Sequence, residues 1–159
     1  MGSAQASTTI DADPDLVWHM VSDVTRMGDW SPETTSCRWI GGARGPAVGA
    51  RFRGSNARGP LRWTTTCTVT AADPGERFAF DVTYGPMRIS TWTYEFSRKD
   101  GGCSVTESWT DNRPAWMRIA SIPVMAVADR PEHNRRGMEK TLAALKRAAE
   151  SREPLKESS

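Results

Sequence analysis

Residues Leu61 to Asp111 read LRWTTTCTVTAADPGERFAFDVTYGPMRISTWTYEFSRKDGGCSVTESWTD, and alternate positions within this stretch decide the fold. Three successive strands and a fourth run carry large side chains at every second residue. They are Trp63, Thr65, Cys67 and Val69, then Phe78, Phe80, Val82 and Tyr84, then Trp92, Tyr94 and Phe96, and finally Val105, Glu107 and Trp109. The opposite register is mostly polar: of Ser90, Thr91, Thr93, Glu95, Ser104, Thr106, Ser108 and Thr110, only Ser90 falls on the aromatic face. A period of two predicts an antiparallel sheet with one face buried and one face wet. The breaks between runs are turn formers. Asp73-Pro74-Gly75-Glu76 places Pro and Gly where a type II turn requires them, Gly85-Pro86 is a second turn, and Asp100-Gly101-Gly102 suits a tight hairpin. Strands joined so briefly form a meander, and without strand–helix alternation after Thr35 a doubly wound nucleotide-binding fold is excluded.

Upstream, Ala4 to Ile10 reads as a short Thr-rich strand. Asp13 is a helix N-cap candidate followed by Pro14 in the first helical position, where its missing N–H costs nothing. The helix places Leu16, Val17, Trp18, Met20, Val21 and Val24 on one arc. His19 lies on the other arc with Asp15 and Asp23, and reads as a solvated residue. Ser31-Pro32 returns the chain to extended structure, with strands expected from about Thr35 to Ile40 and from Ala50 to Asn56. The second of these turns Phe52, Gly54 and Asn56 to one face. Between them, Gly41 to Gly49 is a glycine-rich loop without the Gly-Lys-Ser/Thr of a phosphate cradle.

Downstream of Pro114 the pattern becomes helical. An apolar stretch from Trp116 to Val127, broken at Pro123, is too short to span a membrane. It reads as packing against the sheet, with a lid or a homodimer contact as the alternatives. Pro131 opens a longer helix with Asn134, Met138, Thr141, Leu142, Leu145 and Ala149 on one stripe, while His133 falls off it and is expected to be exposed. Residues 1–150 are expected to form one domain, and the charged residues 151–159 a flexible tail.

Composition excludes several classes of function. With 21 Lys+Arg against 19 Asp+Glu, a net charge of +2 gives no footprint for nucleic acid. Three scattered cysteines, Cys37, Cys67 and Cys103, form neither a disulfide framework nor a metal motif, and two distant histidines add no ligand set. No metal or other cofactor is expected. Nothing at the N-terminus resembles a leader, so the expectation is a soluble, cytoplasmic protein without integral membrane association. Arg51, Arg53, Arg58 and Arg62 concentrate positive charge in one hairpin, read as a solvated surface, with an anionic head group as the functional alternative.

Four local patterns carry a family resemblance: Ile10-x-Ala12-x-Pro14-x-x-Val17-Trp18, Asp29-Trp30-Ser31-Pro32, Gly49-Ala50-Arg51-Phe52-Arg53-Gly54 and Val105-Thr106-Glu107-Ser108-Trp109. With the order of elements, they resemble the helix-grip superfamily of START domains, pollen-allergen-like proteins and polyketide aromatase/cyclases, in its bacterial polyketide cyclase/dehydrase-like branch of SRPBCC proteins. The resemblance implies an α+β helix-grip fold. In it a curved antiparallel β-sheet wraps a long C-terminal helix, two short helices follow the first strand, and a cavity lies between sheet and helix. It carries no catalytic residue over, because the superfamily shares no catalytic motif.

The residues expected to line such a cavity are Trp30, Phe52, Asn56, Trp63, Phe80, Tyr84, Trp92, Tyr94, Glu107, Trp109, Asn134 and Met138. Rigid rings with a few convergent polar groups suit a small, flat, largely apolar ligand. Glu107 interrupts the apolar register, and a carboxylate there needs a partner, a water or a ligand. Its pKa is expected to rise, and Asn56, Asn134, Tyr84 and Tyr94 are its candidate partners. The leading expectation is binding or carriage of a hydrophobic small molecule, lipid-like or aromatic polyketide-like. The alternatives are a cyclase/aromatase-type enzyme using Glu107 as general acid/base, and an interaction module built on Trp116 to Val127.

Overall fold

The computed structural model describes residues 2–114, 116 and 130–157, with the side chains of Tyr84, Arg130 and residues 152–157 outside that description. The order of elements is β1 (Ser3–Ile10), α1 (Pro14–Ser22), a 3-10 helix (Val24–Asp29), β2 (Thr34–Ile40), β3 (Arg51–Arg58), β4 (Leu61–Asp73), β5 (Arg77–Tyr84), β6 (Met87–Lys99), β7 (Gly102–Asp111) and α2 (Arg130–Glu157). The strands form one antiparallel sheet of order β1-β7-β6-β5-β4-β3-β2, a meander closed at one side by the N-terminal strand. This is the helix-grip arrangement the sequence implied.

Turn chemistry sets the register. Gly75 has φ +75° in the β4–β5 turn, and the Glu76 N–H donates to the Asp73 carbonyl at 2.9 Å. At the β6–β7 turn Asp100 and Gly101 both take positive φ (48° and 82°), as a two-residue hairpin whose twist matches its strands requires. In the resulting register Trp92 faces Trp109, Tyr94 faces Glu107 and Phe96 faces Val105 across β6–β7, while Phe80 faces Trp92 and Phe78 faces Tyr94 across β5–β6. The alternate residues read from the sequence therefore share one face.

Two helical features depart from the expectations. The first helix ends at Ser22, because Asp23 leaves helical geometry (φ −80°, ψ 88°) and its carboxylate accepts from the Thr25 N–H at 3.2 Å, capping a separate 3-10 turn. The last helix continues to Glu157 instead of ending near Ala149. Lys146 reaches Glu150 at 2.7 Å, one helical turn on, and the Ser151 hydroxyl donates to the Ala148 carbonyl, so local bonds carry the helix past that point. The Asp13 cap is as expected, with Oδ1 accepting from the Asp15 N–H at 2.8 Å. The segment from Trp116 to Val127 lies outside the described residues except for Trp116 itself, whose side chain is exposed.

α2 bridges the two edges of the sheet. Near its C-terminal end Lys146 donates to the Thr9 carbonyl, and Glu150 accepts from the Asp11 N–H at the end of β1. Near its start His133 meets Glu33, just before β2, at 2.7 Å. His133 is thus not the exposed residue expected: its side chain is 34% exposed, because the helix lies against the Pro32–Glu33 segment. His19 is exposed, its Nδ1 2.7 Å from the Asp15 carbonyl.

Candidate functional site

The inner face of the sheet divides along the strands. At the end covered by α1, Ile10, Cys103, Val105, Phe96 and Phe78 pack with Val17, Trp18 and Val21 of α1 and with Leu145 and Ala149 of α2 in one connected cluster. A chain of rings runs through it: Trp39 to Phe52 (5.7 Å between centroids), Phe52 to Phe80 (5.1 Å), Phe80 to Phe78 (5.9 Å) and Phe78 to Trp18 (6.5 Å), mostly edge to face. Of the residues expected to touch a ligand, Phe52, Phe80, Trp30 and Tyr94 belong to this packed cluster, and Trp92 packs against it. Trp30 closes the 3-10 helix, with the Arg26 guanidinium 4.7 Å from its ring centroid.

Toward the other end the inward residues become polar. Glu107 is 3% exposed, and the Tyr94 hydroxyl, opposite it on β6, donates to its Oε2 at 2.8 Å. Its Oε1 is buried and has no hydrogen-bond partner among the described residues. Burial pushes the Glu107 carboxyl up from its ordinary 4.5 to about 8, outweighing the downward pull of the Tyr94 hydroxyl. Near neutral pH it is therefore mostly the neutral acid. Burial also raises the Tyr94 hydroxyl well above its usual value, with the neighbouring carboxyl adding to the effect. Of the four candidate partners for Glu107, the structure pairs it with Tyr94.

Asn134, on the sheet-facing side of α2, is 5% exposed, and its Nδ2 has no partner among the described residues. Asn56 is half-buried and already occupied: its Nδ2 donates to Thr65 Oγ1 at 3.3 Å, and its Oδ1 accepts from the Thr34 hydroxyl at 3.4 Å. Trp63 lies opposite Asn56 across β3–β4 and is half-buried. Trp92 is half-buried with its ring 6.5 Å from that of Trp109, while Trp109 and Met138 are buried yet outside the connected cluster. Gly2 lies against both the Trp109 ring and Pro131, so the N-terminal strand and the start of α2 meet beside this indole. Tyr84 is in β5, with its side chain outside the described set.

Asp111 is an inward residue that the sequence reading missed. It faces Ser90 across β6–β7, is buried, and holds Arg113 through two bonds of 2.9 Å. Its signal was available, since the alternation Val105, Glu107, Trp109 continues to position 111.

A family model described as polyketide cyclase / dehydrase and lipid transport matches residues 1–150. The chain belongs to this family. A polyketide-cyclase-like protein from Corynebacterium glutamicum is 31% identical, with 92% of this chain and 90% of that one covered at a TM-score of 0.62. Two more distant structures share the fold alone. A protein from Chromobacterium violaceum is 15% identical with a TM-score of 0.70, covering 94% of this chain and 97% of that one. Major latex-like protein 151 from Panax ginseng is 15% identical with a TM-score of 0.66, covering 95% and 96%. No curated protein matches the chain. Among the described residues of this family member no helix is long and apolar enough to cross a membrane, and no group of His, Cys, Asp and Glu could hold a metal ion.

Proposed function

We propose that this family member binds or carries a small, largely apolar molecule between the inner face of the sheet and the N-terminal half of α2. Trp92, Trp109, Met138 and Tyr94 supply the walls, and Glu107 and Asn134 are the polar anchors. The observation that carries this reading is Glu107, a carboxyl buried among aromatic rings with one oxygen held by Tyr94 and the other unpaired among the described residues. A buried polar atom without a partner costs free energy that a ligand's hydrogen bond recovers. The neutral acid suits a carbonyl or ether oxygen, and Asn134 Nδ2 offers a second donor. A ligand with oxygens on an apolar frame, lipid-like or aromatic polyketide-like, fits both.

The raised pKa of Glu107 favours a second reading, a cyclase or aromatase-type enzyme. A carboxyl titrating near 8 can lend a proton to a ketone oxygen and accept one from the adjacent carbon, the enolisation that ring closure of a poly-β-keto chain needs.

Native mass spectrometry of freshly purified protein, followed by release and identification of any small molecule, tests the first reading. The expected result is an apolar, oxygen-bearing compound at one per chain. A protein that arrives empty and binds no such compound on titration refutes it. Glu107→Gln then separates the two readings, because the amide keeps the Tyr94 contact and a donor toward the ligand but cannot exchange protons. Binding retained with turnover lost identifies the enzyme.

A further inference from the structure

The arginines of β2, β3 and β4 are distributed in a way that a solvated surface does not explain. Residues 34–72 contain six arginines and no Asp, Glu or Lys, a local charge of +6 in a chain of net charge +2, which leaves −4 for the remainder. Strand register turns Arg38, Arg51 and Arg53 to the outer face, since their neighbours Cys37, Phe52 and Gly54 point inward. Arg38 and Arg53 stand directly opposite each other across β2–β3, a like-charge pair that destabilises the hairpin unless a counter-charge arrives. Arg38, Arg44, Arg51, Arg53 and Arg62 are all exposed, and none has an acidic partner among the described residues. Only Arg58 of the six approaches a carboxylate, Glu33, at 3.9 Å.

An apolar group stands beside this charge. Val48, in the loop joining β2 to β3, is 71% exposed, three residues from Arg51 and four from Arg44. We infer that the outer face of β2–β3 and its glycine-rich loop dock on an anionic lipid bilayer, with Val48 entering the interface and the arginines meeting lipid phosphates. A bilayer fits better than a folded partner or a nucleic acid. The glycine-rich loop frames a shallow depression from Ile40 to Arg51 and offers Val48 as its strongly exposed apolar side chain, too little apolar surface for the core of a protein interface, and the rings of these strands, Trp39, Phe52 and Trp63, lie on the inner face, leaving none to stack on bases. The inference rests on the outer face alone and stands whether or not the inner face binds a ligand.

The test is co-sedimentation of the intact protein with vesicles of phosphatidylcholine alone and of an equal mixture with phosphatidylglycerol, at low and high salt. Binding is expected to the anionic vesicles only and to weaken as salt rises. At about 1 kcal/mol per basic residue near a charged surface, each arginine removed weakens binding about fivefold, so Arg38→Gln with Arg53→Gln costs roughly 25-fold. That double variant removes a repulsion, so its melting temperature is expected to equal or exceed that of the parent. Val48→Ser weakens anionic binding without changing its salt dependence, and Lys140→Gln, on the exposed side of α2, leaves binding unchanged. Equal binding to both vesicle types, no binding to either, or an equal loss with Lys140→Gln overturns the inference. So does capture by an acidic protein or by DNA at a salt concentration where anionic vesicles are not bound.

Discussion

Replacing Glu107 with Gln tests the least ordinary feature of the inner face. In the folded state the carboxyl keeps its proton up to about pH 8, against 4.5 ordinarily, because burial penalises the charged form. The folded state therefore binds more protons than the unfolded chain between these values, and stability falls as pH rises through that window. The contribution is whole below about pH 4.5, is lost progressively, and stops changing above about pH 8. The gap between 4.5 and about 8 converts, at about 1.4 kcal/mol per pH unit, to roughly 5 kcal/mol, of which roughly 3 is already lost at pH 7. Glutamine does not titrate, and its carbonyl can accept the Tyr94 hydroxyl as Oε2 does at 2.8 Å. Urea unfolding of both proteins at about pH 5, 7 and 9 isolates the effect, since other titrating groups cancel in the difference. Glu107→Gln should become more stable relative to the parent by several kcal/mol between the lowest and highest pH. A difference constant to within about 1 kcal/mol across the series would mean a carboxylate ionised throughout, and would refute the neutral-acid reading.

Other expectations follow from the same contacts. Asp13→Ala removes both the α1 cap and the 3.1 Å ion pair with Arg98, and should cost about 1 kcal/mol in thermal or urea unfolding. Burial pushes the thiols of Cys37, Cys67 and Cys103 up to about 11, 12 and 11, so iodoacetamide should leave all three unmodified in the native protein at neutral pH and alkylate them once urea unfolds it. Leu145 and Met138 are equally buried, but only Leu145 belongs to the connected cluster. Leu145→Ala should therefore lose roughly 2–5 kcal/mol with ligand binding intact, and Met138→Ala should lose less stability and more affinity; equal stability losses would contradict that division.

The strands and their inner face were legible because period-two alternation and turn residues agree. Trp92, Tyr94 and Phe96 repeat at the spacing that puts them on one side, and Asp100-Gly101 dictates where β6 turns into β7. Pairing across strands was harder to read. It depends on bulges, and the shifts between Val69 and Ala71 and between Val82 and Thr83 leave no mark in hydrophobic periodicity. Hence Glu107 stood out as an inward carboxyl while four partners remained open, until the register selected Tyr94. Nor does a sequence distinguish a ring packed against other rings from one at a cavity wall. Phe52 and Phe80 belong to the first kind, and only their neighbours, 5.1 Å apart at the ring centroids, show it. The break at Asp23 was hidden because Val24 continues the apolar arc of α1, although Asp23 is itself a residue type that caps helices, here through the Thr25 N–H two positions on.

The division of the inner face has a physical consequence. α1 seals one end with Val17, Trp18 and Val21, which pack with the apolar inward residues Phe78, Phe96, Val105 and Cys103. The polar inward residues lie farther along the strands: Glu107, Ser90 and Asp111 on β6 and β7, and Asn56 beside Thr34 on the opposite flank. A protein that needed only a core would gain from making these positions apolar, because each buried polar group must recover its lost hydration through partners. Asn56 and Asp111 have done so within the chain, through Thr34, Thr65 and Arg113. Glu107 and Asn134 have each been left with one atom unpaired among the described residues, from opposite layers of the fold. Stability therefore resides mainly at the α1 end, and the polar end is where substitutions can change ligand affinity while the fold survives.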